Sequence, residues 1–169
     1  DALRTADNAW LFKIAAKGVA RKHGFTAIFM AQSYPDSAGS GMHSHFSVLD
    51  AEGRNIFDDG SPNGSETLRH AVAGCLAAMA DSSLIFAPFD NSFERLVPGV
   101  HSLTSLCWGY DNRTTALLIP AVPPKARRIE HRVAGADTNP YLMLAAILRA
   151  AVNGIADKTP APPATTGNA

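Results

Sequence analysis

Two short segments alternate so cleanly that they dictate where the core of this chain must lie. In Met42-His-Ser-His-Phe-Ser-Val48, His43, His45 and Ser47 fall on one strand face, and Met42, Phe46 and Val48 on the other. Arg128-Ile-Glu-His-Arg-Val133 does the same, with Arg128, Glu130 and Arg132 against Ile129 and Val133. Successive side chains of a strand point to opposite faces, so each segment demands one buried apolar face and leaves one polar face free. The first presents two imidazoles about 7 Å apart, from a rise of roughly 3.3–3.4 Å per residue. Histidine is the commonest metal ligand and also contacts phosphate, although two such histidines fit a solvated face as well. A carboxylate between two guanidiniums suits a metal beside anionic substrates, because arginine grips carboxylate and phosphate in bidentate fashion. As an exposed cross-strand ladder, the same three residues would contribute only about 0–1 kcal/mol.

Apolar sheet faces need cover, and three stretches with helical periodicity supply it. Leu3, Ala6, Trp10, Leu11, Ile14, Ala15 and Gly18 share one face, with Gly24 after His23 as the stop. Leu68, Ala71, Val72, Cys75, Leu76 and Met79 form a second stripe behind the candidate N-cap Ser65. Asn139-Pro140 opens the third helix, which Gly154 is expected to close. Between them, Phe25 to Ala31 reads as a short buried strand and Met42 to Leu49 as another, followed by a hairpin turn at Asp50–Gly53. Residues 81–104 look irregular, and three further strands are expected near 104–110, 114–119 and 128–133. Strands and helices do not alternate strictly, which predicts an α+β fold with an antiparallel sheet and packed helices.

Fifteen basic and fifteen acidic side chains cancel, so no overall field draws the chain to nucleic acid or an anionic membrane. No apolar run approaches the roughly 18 residues a bilayer requires. Cys75 and Cys107 sit in apolar contexts and read as core residues, which makes a cytoplasmic location the expectation. The chain opens inside a helical pattern without Met, and residues 157–169 hold three prolines. We therefore expect an internal segment, 1–156, with a Pro-rich, linker-like tail at 157–169.

Five motifs in this order resemble the glutamine synthetase family: Gly39-Ser-Gly-Met-His-Ser-His-Phe-Ser47, Asn91-Ser-Phe-Glu-Arg-Leu-Val-Pro-Gly99, Asp111-Asn-Arg-Thr114, Pro124-Lys-Ala-Arg-Arg-Ile-Glu-His-Arg132 and Asn139-Pro-Tyr-Leu142. Asp1-Ala-Leu-Arg-Thr-Ala-Asp7 and Arg21-Lys-His-Gly24 are similar to the same family, so the resemblance runs through nearly all of the chain. It implies part of a glutamine synthetase-type catalytic domain and an ATP-dependent ligase. Such an enzyme phosphorylates the γ-carboxylate of glutamate and then exchanges phosphate for an amine.

Residue by residue, the resemblance makes His43 and Glu130 ligands of a Mg²⁺ or Mn²⁺ ion, and His45, Ser47 and Lys125 contacts of ATP. Arg113 resembles the arginine that stabilises the transferring phosphoryl group and contacts nucleotide. Gly39, Arg95 and Arg132 resemble glutamate-binding positions, with Arg132 also facing the acyl phosphate. Arg128 belongs to the same motif as charge support. Three departures stand out: Ala38 where the family often has Asn, Leu118 where many members have a second phosphate-contacting Arg, and His101 where ammonia-using members have a Glu. A histidine supplies no fixed negative charge for ammonium, so the sequence points to the branch that ligates larger amines or polyamines, with His101 at the amine. The resemblance further implies a ring-type homo-oligomer, completed by upstream Glu ligands and an N-terminal domain. The segment alone is then expected to be inactive. The alternative is a non-catalytic family member kept for assembly or regulation, which Ala38 and Leu118 also fit.

Overall fold

The apolar side of the two alternating segments does form the core. The computed structural model describes residues 1–35, 37–96 and 105–169. Strands β1 (Ser44–Phe46), β2 (Trp108–Tyr110), β3 (Leu117–Ile119) and β4 (Ile129–His131) make one sheet in the order β1-β4-β3-β2. Helix α1 (Ala2–Lys22) precedes β1. Helix α2 (Glu66–Met79), single turns α3 (Ser83–Phe86) and α4 (Asp90–Phe93), and the long α5 (Pro140–Ala156) complete the α+β fold. Leu117, Ile119 and Ile129 from the sheet, Leu68 and Val72 from α2, and Ile147 from α5 are fully buried together with Phe57.

Both core helices begin as their sequences require. Ser65 Oγ accepts from Leu68 N–H at 3.1 Å, and every residue of the stripe behind it is buried. The Asn139 side chain accepts from the Tyr141 and Leu142 N–H groups ahead of Pro140. Gly154, expected as a helix stop, lies inside α5 instead. It faces Gly74 of α2 so closely that a Cβ on Gly74 would stand 2.7 Å from Gly154 Cα. The helix closes at Asp157, with Lys158 taking the left-handed turn at φ 48°.

Three other expectations are corrected. Phe25–Ala31 forms no strand, and Phe25, Ile28 and Met30 are exposed. A strand needs a hydrogen-bonding neighbour, and no strand among the described residues lies beside this one. On α1 only Ala6 of the apolar stripe is buried, because the helix meets the described body mainly through α5. The sheet is mixed rather than antiparallel: β1 pairs with β4 and β4 with β3 antiparallel, but β2 and β3 run parallel. Parallel neighbours usually require a crossover of a dozen residues or more. Here residues 111–116 suffice, since three-residue strands ask the chain to travel back only about 7 Å. The turn starts at Asp111, which adopts φ 47°.

The tail lies along the outer side of β2. Trp108 Nε1–H donates to Pro162 O at 2.8 Å, Thr165 N–H donates to Trp108 O at 2.8 Å, and Ala161 and Ala164 pack on the core. Among the described residues no helix is long and apolar enough to cross a membrane.

Candidate functional site

Antiparallel pairing of β1 with β4 sets His45 opposite Glu130, which merges the two polar strand faces into one surface. Across the sheet the same row continues to Leu118 on β3 and Gly109 on β2. Leu118 is buried, so Glu130 has an imidazole on one side and an aliphatic chain on the other.

Glu130 is the hub of this surface. Its Oε1 lies 3.0 Å from His43 Nδ1 and 3.3 Å from Arg132 Nε, and its Oε2 lies 3.9 Å from His45 Nε2. The Arg132 contact is an ion pair without hydrogen-bond alignment, because Nε finds no aligned acceptor. The carboxylate side chain is only 12% exposed, whereas those of His43 and His45 are 37% and 42% exposed. A shielded charge thus sits beneath two accessible imidazoles. Burial, reinforced by the nearby Arg132 charge, holds the His43 pKa below its ordinary value despite Glu130. His43 is therefore a neutral imidazole at neutral pH, the form that can coordinate a cation.

The basic run from Lys125 divides its labour. Arg127 is buried and structural: Nη1 and Nη2 donate to Pro62 O and Ser61 O at 2.9 and 3.0 Å. Arg128 Nε–H donates to His45 Nδ1 at 3.2 Å. That leaves Nδ1 as an acceptor, so the neutral His45 ring carries its proton on Nε2, the nitrogen turned toward Glu130. Lys125 stands exposed on the 3₁₀ turn Pro124–Ala126, and Ser47 is exposed one residue beyond β1.

Arg132 is buried and donates through Nη1 to the backbone carbonyl of Arg113, whose own side chain is exposed on the 111–116 crossover. Arg95 follows α4 and reaches across to the end of β4, donating to Val133 O at 2.8 Å and Arg132 O at 3.1 Å. Burial lowers the pKa of both arginines, yet a guanidinium keeps its charge. The Gly39-Ser-Gly41 turn makes room for Arg95. A Cβ on Gly39 would meet Arg95 Cγ at 2.8 Å, and one on Gly41 would meet Arg95 Nη2 at 2.7 Å and His43 Nε2 at 3.2 Å. Gly39 and Arg95 thus come together, and Gly41 joins them. His101 lies outside the described residues.

His43 Nδ1 and Glu130 Oε1 fit adjacent places on a divalent ion. Neighbouring oxygen or nitrogen ligands at about 2.1 Å from an octahedral ion stand about 3 Å apart, and these two atoms are 3.0 Å apart. Among the described residues no group of three or more His, Cys, Asp or Glu side chains is arranged to hold a metal, so His43 and Glu130 would be part of a ligand set.

Three further polar groups lie near the site. Gln32 is buried against Gly39 and donates to Tyr34 O and Ser37 O. Asp137 accepts from Ser92 of α4. His131 sits on the core side of β4, its ring 4.7 Å from that of Phe86 and its Nδ1 buried without a partner among the described residues. The strand period places His131 in the core; nothing local marks the other two.

Comparison with known proteins identifies the family. The family described as "Glutamine synthetase, catalytic domain" matches residues 1–169. The chain is 39% identical over 166 residues to gamma-glutamylputrescine synthetase PuuA of Escherichia coli, covering 98% of this chain and 35% of that protein. It is 42% identical over 158 residues to a glutamine synthetase of Pyrococcus abyssi, covering 94% of this chain and 36% of that protein. A solved structure titled "GmaS/ADP complex-Conformation 1" superimposes with a TM-score of 0.89 at 34% identity, over 99% of this chain and 40% of that one. The chain thus spans about a third of the length of the relatives it matches.

Proposed function

Because this chain belongs to the glutamine synthetase family, we propose that its parent protein is an ATP-dependent ligase joining the γ-carboxylate of glutamate to an amine larger than ammonia. One observation carries the site: Glu130, shielded on the polar sheet face, is surrounded by His43, His45 and Arg132. Arg95 and Arg113 add positive charge, and even counting Asp137, whose charge acts on Arg95, the three arginines outnumber the two carboxylates, a surplus that suits phosphates and a substrate carboxylate.

In this reading His43 and Glu130 hold a Mg²⁺ or Mn²⁺ ion, which when bound offsets phosphate charge. ATP gives its γ-phosphoryl group to the glutamate γ-carboxylate, forming γ-glutamyl phosphate and ADP. The amine then attacks the acyl carbon, the bond to phosphate breaks, and the amine loses a proton. His45, with its proton on Nε2, donates to a phosphate oxygen, and Ser47 and Lys125 contact the nucleotide. Arg113 faces the transferring phosphoryl group, where fixed positive charge lowers the barrier. Gly39, Arg95 and Arg132 bind glutamate, the two guanidiniums already oriented by backbone carbonyls. His101 takes the position beside the amine. Two features favour a larger amine: His101 in place of a fixed carboxylate, and similarity to a gamma-glutamylputrescine synthetase.

The 169-residue chain carries part of the site, so no amide formation is expected from it alone. The parent is expected to work as a ring-type homo-oligomer in the cytoplasm. The test is phosphate release by the parent with ATP, Mg²⁺ and glutamate, comparing ammonium with monoamines, diamines and polyamines. Faster release with an amine than with ammonium is the expected result; the reverse order refutes the amine assignment. Leu118 supports a second, non-catalytic reading, since it sets an aliphatic chain beside Glu130. ATP binding without turnover on any amine would favour that reading.

A further inference from the structure

Arg95 sits two residues beyond the single turn α4, and the stability of that turn decides where the guanidinium goes. Ser92, the third residue of α4, is buried, and its Oγ accepts from Phe89 N–H at 3.0 Å, the N-terminal half of a capping box. The same hydroxyl donates its proton to Asp137 Oδ2 at 2.5 Å. A continuous polar chain therefore runs from the Phe89 amide through Ser92 to the Asp137 carboxylate, in the loop between β4 and α5.

Asp137 has a second connection to Arg95, through charge. Its other oxygen, Oδ1, is buried with no hydrogen-bond partner among the described residues. The negative charge of Asp137 favours the charged forms of Arg95 and of Lys13 on α1. Lys13 is itself tied down by donating to Thr138 O at 2.8 Å. Arg95 also lies within reach of the Arg132 charge, which opposes its own. Two guanidiniums share the end of β4, where Arg95 donates to the Val133 and Arg132 carbonyls.

We infer that Asp137 is a positioning residue, holding Arg95 in place through Ser92 and through its own charge. This rests on the proposed role of Arg95 in binding glutamate. Ser92 fixes the turn that carries Arg95, and Asp137 offsets the repulsion from Arg132. With Asp137 neutral, the Arg95 guanidinium no longer has a counter-charge behind it and leaves the Val133 and Arg132 carbonyls.

The test uses Asp137→Asn and Ser92→Ala in the full-length parent. Phosphate release is measured with glutamate varied at saturating ATP, and then with ATP varied at saturating glutamate. Asp137→Asn is expected to raise the glutamate KM about tenfold, the size of one lost charge-assisted interaction. Ser92→Ala is expected to move it in the same direction, with the ATP KM unchanged in both. A purely structural role predicts another pattern, since a smaller folded fraction lowers kcat with either substrate varied and leaves both KM values alone. That pattern, or equal rises in both KM values, overturns the inference. If the wild-type parent shows no glutamate-dependent release, the functional reading falls by itself. A crystal structure of Asp137→Asn then decides the positioning: Arg95 still bonded to Val133 O overturns it, and Arg95 displaced upholds it.

Discussion

The crossing of α2 and α5 offers a sharp test of how the core is held under the site. Gly74 and Gly154 meet there, and a Cβ on Gly74 would stand 2.7 Å from both Cα and N of Gly154. Carbon atoms settle at about 3.5–4.0 Å, so Gly74→Ala must open the crossing by about 1 Å. The atoms in the way are helix backbone, and no side-chain rotation can relieve the clash. A gap of that size forfeits roughly a quarter to a half of each dispersion contact across the crossing. Those contacts involve Val72 and Cys75 on α2 and Ile147, Ala150 and Ala151 on α5, all buried. Overpacking of this kind costs about 1–3 kcal/mol, occasionally more. The gain in helix propensity from Gly to Ala returns about 1 kcal/mol. With immovable backbone on both sides the steric cost lies at the upper end, for a net loss of about 2 kcal/mol.

Gly18→Ala supplies the control. Gly18 lies within α1 with nothing inside 4 Å of where its Cβ would be, so the same substitution gains about 0.5–1 kcal/mol there. Urea unfolding of the 169-residue chain compares the two at constant slope. Opposite signs are expected. If Gly74→Ala stabilises as Gly18→Ala does, the two helices slide freely past each other and the close crossing is no constraint on the fold.

Three further outcomes are expected. His131 is almost fully buried, which pushes its pKa down to about 3; the unfolded chain therefore binds more protons between about pH 6.5 and 3, and stability falls as pH drops through that window by up to ~1.4 kcal/mol per unit. His131→Asn should flatten that acid limb in urea titrations at a series of pH values, and an unchanged slope would refute the burial argument. Glu130→Gln in the parent should weaken Mn²⁺ binding, followed by electron paramagnetic resonance, at least tenfold, since even outer-shell partners of a metal are worth roughly 10–100-fold; unaltered affinity would remove Glu130 from the ligand set. Burial raises the Cys75 thiol to about 12 and its Sγ contacts Ile147 O at 3.6 Å, so it should resist iodoacetamide at pH 8 until the protein unfolds, and labelling of the native state would show that α2 opens locally.

What could be read from the residues, and what could not, follows from how far each constraint reaches along the chain. Strand alternation separated His43, His45, Glu130 and Arg132 from the core because a side chain's face depends only on its immediate neighbours. The alternation could not say that His45 would stand opposite Glu130, since register belongs to two segments 85 residues apart, a separation read off His45 and Glu130 themselves. Gly154 failed as a helix stop for a related reason. Glycine is a local signal for a left-handed turn, yet here it answers Gly74 on another helix, and Lys158 makes the turn instead. Phe25–Ala31 has the composition of a strand, but composition cannot supply the neighbour that makes one.

Arg95 shows why motif order reached further than periodicity. Its loop has no repeat to read, and its placement depends on two glycines more than fifty residues earlier and on carbonyls at the end of β4. Resemblance located the residue without giving the reason it stays there. The inferred reason lies in Ser92, inside the same motif, and Asp137, whose link to each other is set by the fold and not by spacing along the chain. A site built on strand faces can be read one segment at a time. The part built on loops exists only once distant segments have met, and it is there that substitutions at residues without a substrate contact should change substrate affinity.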